Sequence, residues 1–302
     1  MTRRHLLLIV ALLAPATGYC RLSAQAPPPL RCGTGVHEGE AAGQVWFPEG
    51  DLFCPLLADP KAERSFVSYL RGEFPALADG ETSADIGAVG LGDRFALVRW
   101  GGARAGDGVQ ISLSGAILAQ FDLGTPSIDL INADYLVAVP VTARWDGFSG
   151  RLALLHQSSH LGDEYLLRSE LERENLSFEA VDLILSQEVA GFRLYGGGQY
   201  LFNREPAALE PLVAHGGAEV RIGSVRGPRL VAALDVKSSE QQEWKPAWSA
   251  RGGVEIARWR HPEHPPRLFA VLAEYYRGPS PYGQFFREEI RSLGAGLHFS
   301  LQ

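Results

Sequence analysis

Three residues of this chain have the types and order for acyl-transfer chemistry: His156, Ser158 and Glu179. A histidine can take a proton from a serine hydroxyl, and a carboxylate can hold the imidazole in the tautomer that does so. All three lie in stretches that read as strands, where successive side chains alternate sides. His156 and Ser158 therefore share a face with Leu152 and Leu154, and Glu179 shares one with Val181, Leu183 and Leu185. Residues two apart on a strand face are ~7 Å apart at the backbone, within side-chain reach. A His, a Ser and a Glu on greasy faces would make an odd core for a soluble sheet. On the outside of a membrane barrel they would sit at the boundary with lipid. The competing reading puts His156 and Ser158 in a polar girdle at the membrane interface.

The stretches around them repeat one pattern. From Ser65 onward the dominant period is two. Val109, Ile111, Leu113, Ile117 and Phe121 point one way, and Gln110, Ser112, Ser114, Gln120 and Asp122 the other, with Ala116 and Leu118 as exceptions. Segments 212–222 and 248–256 repeat the scheme. About twelve such segments follow residue 65: 66–73, 83–100, 109–122, 133–145, 149–158, 176–188, 191–203, 210–222, 228–239, 246–259, 266–277 and 290–301. Most are longer than the five or six residues of a typical soluble strand and match the ~9–11 a tilted transmembrane strand needs. Short and long connections alternate, as in outer-membrane barrels. The expected fold is all-β, a closed antiparallel transmembrane β-barrel of about twelve strands. Pro140 is awkward inside the fourth segment, because proline cannot donate to a ladder.

Arg193, Glu219, Arg221, Arg229, Asp235, Lys237, Arg251, Glu255 and Glu274 fall on the polar faces. Inside a barrel they are expected to pair, since buried charges are tolerated when paired and hydrogen-bonded.

Residues 1–26 have the parts of a secretory signal: Arg3 and Arg4, an apolar run from Leu6 to Leu13, and a small-residue site at Ala24–Ala26. Residues 27–65 read as a periplasmic segment and 66–302 as the barrel. In an oxidising compartment Cys32 and Cys54 are expected to form a disulfide, worth about 3 kcal/mol by chain entropy. The formal charge is −7, with no basic cluster suited to nucleic acid. No cofactor is signalled. The run YGGGQY at 195–200 lacks the Lys-Ser/Thr pair and following helix of a phosphate loop, and its glycines suit curvature or close contact instead. His160, Asp163 and Glu164 crowd one connection and could gather a hard cation with Asp129 or Asp134, but no ligand spacing is recognisable, so the favoured reading is a solvated extracellular loop and no metal is assigned. The strand ending in Leu297, Phe299 and Leu301 resembles the C-terminal signal read by barrel-assembly machinery, a second expected partner beside lipid or lipopolysaccharide.

The runs FCPLLADP at 53–60, IDLINADY at 128–135, HQSSHLGDEY at 156–165 and YGGGQY at 195–200 resemble a bacterial envelope family, domain of unknown function 1207. The likeness spans Val45 to Leu301 and implies an outer-membrane setting without an established activity. The hairpin at 149–188 is similar to the lipid A deacylase barrels, in which a His-x-Ser on one strand meets a Glu near the top of the next, facing lipid. That resemblance implies an acyl-ester hydrolase with His156, Ser158 and Glu179 as its catalytic residues. The connection here is longer than in that family, and twelve strands exceed its eight. A non-enzymatic structural or adhesive barrel and a small pore are the alternatives.

Overall fold

The protein is described here by a computed structural model, over residues 43–75, 83–102, 106–169, 175–223, 227–258 and 267–300. Its strands are β1 (Gln44–Trp46), β2 (Ser65–Glu73), β3 (Ala84–Gly101), β4 (Gly108–Asp122), β5 (Leu130–Trp145), β6 (Phe148–Leu161), β7 (Leu176–Val189), β8 (Phe192–Glu205), β9 (Leu212–Gly223), β10 (Pro228–Ser239), β11 (Pro246–Arg258), β12 (Arg267–Pro279) and β13 (Glu289–Phe299). Each strand from β2 to β13 pairs antiparallel with the next, and β13 returns to β2 with Ala295 opposite Tyr69. The result is a closed antiparallel barrel of twelve strands. The small extra strand β1 lies against the end of β3, at Val98–Trp100.

Period-two patterning sets the register as expected. On β4, Gln110, Ser112, Ser114, Gln120 and Asp122 are buried in the lumen, while Leu113 and Ile117 are exposed on the outer wall. Ala116 and Leu118 break the pattern because the lumen is apolar at that height: they pack with Phe66, Leu70, Ile86 and Phe285. Pro140 sits where the ladder to β4 skips, between the pairs Ile111–Val141 and Ser114–Ala138, while its pairing with Ala153 of β6 continues. Exposed aromatics ring both ends of the wall. Trp100, Trp145, Phe148 and Phe192 lie toward the short turns; Tyr135, Tyr200, Phe202 and Trp248 lie toward the long connections.

The inward charges pair as expected. Arg221 Nη1 lies 2.7 Å from Glu219 Oε2, Arg251 Nε donates to Glu274 Oε2 at 3.1 Å, and Arg229 pairs with Glu255.

Two features differ from the sequence reading. The connection after β6 is not all loop: β6 runs on to Leu161, and α1 (Asp163–Ser169) follows, with Tyr165 buried against Phe285. The N-terminal segment also does more than hang below the barrel. Residues 51–63 enter the lumen as a plug, with Leu52, Phe53, Leu56 and Leu57 buried. The plug contains no helix or strand, so the wall supplies partners for its backbone groups. Arg193 donates to Cys54 O at 3.1 Å, Arg251 to Leu57 O at 3.1 Å, and Arg94 to Phe53 O at 2.9 Å. Leu57 N donates to Glu219 Oε1 at 2.6 Å. The apolar run Leu52–Ala58 explains the difference, because so many hydrophobes must be buried somewhere and the lumen is the available interior. Residues 1–26 and Cys32 lie outside the described residues, while Cys54 is buried in the plug.

Candidate functional site

His156 and Glu179 are direct cross-strand partners on β6 and β7, both on the outer wall. His156 Nδ1 lies 2.9 Å from Glu179 Oε1. An ionised carboxylate only accepts hydrogen bonds, so Nδ1 carries the proton and donates it. That tautomer leaves Nε2 as the basic nitrogen. Ser158 lies two residues along β6 on the same outer face, opposite Ser177 of β7 and Tyr135 of β5. The three residues share one stretch of the outer wall, with Ser158 three residues short of the long-connection end of β6 at Leu161. Below them the outer wall is apolar: Leu152, Leu154, Val181, Leu183 and Leu185 are all exposed.

The structure brings the His, Ser and Glu to one face and adds His160, two residues beyond Ser158 on the same face of β6, but leaves Asp163 and Glu164 apart from them. His160 stacks edge-on against Tyr135, with ring centroids 5.8 Å apart. Asp163 and Glu164 fall in the first turn of α1. Asp129 accepts from Ser127 and faces Arg168 at 3.4 Å. Asp134 turns into the lumen. Among the described residues these side chains do not gather into a cation site. Among the described residues, the group with donor atoms close enough for a metal is Asp59, His215 and Asp235, within 4.8 Å of one another. Those atoms are already engaged: Lys237 donates to Asp59 Oδ1 at 2.6 Å, and Asp235 Oδ2 lies 2.6 Å from both His215 Nε2 and Tyr195 Oη.

The inner face of the same strands is where sequence reasoning missed most. Asp134, fully buried, binds Lys61 of the plug and Ser159 of β6. It also accepts from Asn132 Nδ2 at 3.1 Å and from Gly283 N at 3.2 Å. Gln284 Nε2 donates to Ser159 O at 2.8 Å. Plug, wall and the connection after β12 thus meet directly behind Ser158. Lower in the plug, Glu63 faces Arg94 at 2.7 Å and Arg151 at 3.6 Å. Burial pushes the Glu63 carboxyl up, but these guanidinium groups more than reverse it and hold it at about 2. The signals in sequence were the apolar run Leu52–Ala58 and the plug charges Asp59, Lys61 and Glu63, which need lumen partners.

The sequence profile of a protein family of unknown function, DUF1207, matches residues 32–301. The chain belongs to that family. No curated protein matches it. Among solved structures it is similar to the Salmonella typhi outer membrane phospholipase dimer with bound calcium, at TM-score 0.53 and 11% identity, over 79% of this chain and 91% of that one. The outer membrane phospholipase A of Escherichia coli gives TM-score 0.53 and 11% identity, over 79% of this chain and 90% of that one. At this identity the likeness is one of fold: an outer-membrane-type barrel.

Proposed function

We propose that this protein is an outer-membrane acyl-ester hydrolase, acting on lipids of the outer leaflet with Ser158 as nucleophile, His156 as base and Glu179 as the group that orients it. The observation that carries this reading is the 2.9 Å contact of His156 Nδ1 with Glu179 Oε1 on the apolar outer wall, with Ser158 beside them on the same face. Two aromatic belts flanking an apolar band suit a bilayer. The short turns then face the periplasm and the long connections the cell surface, after removal of residues 1–26 and formation of the Cys32–Cys54 bridge. The fold shared with two outer membrane phospholipases is consistent with this setting.

Ser158 Oγ attacks the ester carbonyl and gives its proton to His156 Nε2. Glu179 stabilises the imidazolium. The tetrahedral intermediate collapses, and the leaving alkoxide takes the proton from Nε2. Water, deprotonated by the same nitrogen, then releases the acid from acyl-Ser158. A pore is disfavoured, because the plug crosses the lumen and bonds to opposite walls at Arg94, Arg193 and Arg251.

The test is lipid analysis of cells expressing wild type or Ser158→Ala, with fatty-acid release by the purified proteins. Loss of about 10³-fold or more in rate is expected for the variant. Identical acyl patterns in wild type, variant and empty-vector cells would leave a structural barrel as the better reading.

A further inference from the structure

The lumen opens, at the end with the long connections, into a cavity of about 200 Å³. Its floor is the plug, at Pro60 and Lys61. Leu176, Phe178, Leu201 and Val213 line one side and Tyr276 and Phe286 the other. Elsewhere the lumen is filled by the plug, by apolar clusters and by ion pairs. The charges at its floor are already matched: Lys61 pairs with Asp134 and Lys237 with Asp59. Two buried polar side chains there are not: Gln157, 7% exposed, and Ser249, 5% exposed, line the cavity without a side-chain hydrogen-bond partner among the described residues, as do the more exposed Gln199 and Ser239.

We infer that this cavity is a binding site for a small uncharged amphiphile. Its hydroxyl-bearing head would hydrogen-bond the Gln157 amide and the Ser249 hydroxyl. Its short alkyl body would lie between Phe178 and Tyr276. An amide and a hydroxyl each donate and accept, so they suit a head rich in hydroxyl groups. At the floor a carboxylate or ammonium head would bring an unmatched charge beside pairs that are already balanced; Glu210, the lining carboxylate without an ion pair among the described residues, is exposed in the connection after β8, away from Gln157 and Ser249 on their strands. Pockets of this kind combine apolar walls with a few placed polar groups. The site faces the lumen and shares no side chain with the outer-wall residues, so it stands whether or not the hydrolase reading does.

The full chain in lipid nanodiscs is titrated calorimetrically with 1-O-hexylglycerol, an uncharged, ester-free probe. Hexanoate, hexylamine and glycerol serve as comparison ligands, and empty nanodiscs as the blank. Saturable binding is expected, at least tenfold tighter than for any of the three. Gln157→Leu with Ser249→Ala should weaken it tenfold or more. Ser249→Ala alone, a change too small to prevent folding, should weaken it about threefold. Equal binding of hexanoate or hexylamine would overturn the inference. So would heat indistinguishable from empty nanodiscs, or affinity unchanged in the folded variants.

Discussion

The two faces of β5, β6 and β7 are built on opposite principles. Outward, His156 and Glu179 are joined to each other by a single side-chain hydrogen bond and stand among exposed aliphatic residues. Inward, one residue along, Ser159 and Asp134 are tied to Lys61, Asn132, Gly283 and Gln284. The backbone is common to both faces, so holding one face fixes the position of the other. A flat strand gives a reactive side chain little local support, and here the support comes through the wall from the plug. Functional groups held within about 0.5 Å of a working geometry need that kind of backing.

The comparison breaks most readily on the outer face. His156→Ala should remove hydrolysis by about 10³-fold or more while leaving stability within about 0.5 kcal/mol, because the side chain is half exposed and braces nothing. Lipid hydrolysis and thermal unfolding of one preparation check both halves; a large fall in stability would show that the outer face is structural. Asp134→Ala should do the reverse. It leaves Lys61 unpaired beside a buried wall and should cost about 3–5 kcal/mol, read as a lowered unfolding midpoint in detergent. An unchanged midpoint would mean that the plug does not brace the strands.

Glu179→Gln sharpens the contrast. The shape is kept, but a neutral amide no longer stabilises the imidazolium. Rate should fall 10²- to 10⁴-fold, with KM little changed.

The smallest effect concerns acid. Because the folded Glu63 carboxyl is held at about 2, below its unfolded value, its contribution is fully present above the unfolded pKa. That contribution fades as pH falls below the unfolded value and is gone once pH has fallen through about 2. Pepsin cleavage of the plug should therefore be slow at pH 4 and rise toward pH 2. Equal cleavage at both would place Glu63 outside its pairs with Arg94 and Arg151.

The strands were legible because a barrel wall has two solvents, and alternation records both. The segments around Val109 and Trp248 carry that alternation, and their burial follows it residue by residue. The His156–Glu179 pairing was legible for the same reason. The plug was not. Leu52–Ala58 is apolar without a period, so it tells that burial is needed but not where. The contacts of Asp134 were also hidden, because its partners come from positions 61, 132, 159 and 283, which no local pattern connects. α1 is seven residues long, too short for a helical period to stand out.

The path of the plug has a topological consequence. β1 is fixed at the short-turn end of β3, and Ser65 begins β2 beside Phe299 of β13, with Phe66 opposite Gly90 of β3. The chain between them goes up and comes back through one opening. It is unthreaded: it can be drawn out as a loop without parting any of the twelve seams of the wall. During assembly the last seam, β13 on β2, can close before or after the loop enters. Closing the wall and filling it are separable events, and a variant that fails at the second can still complete the first.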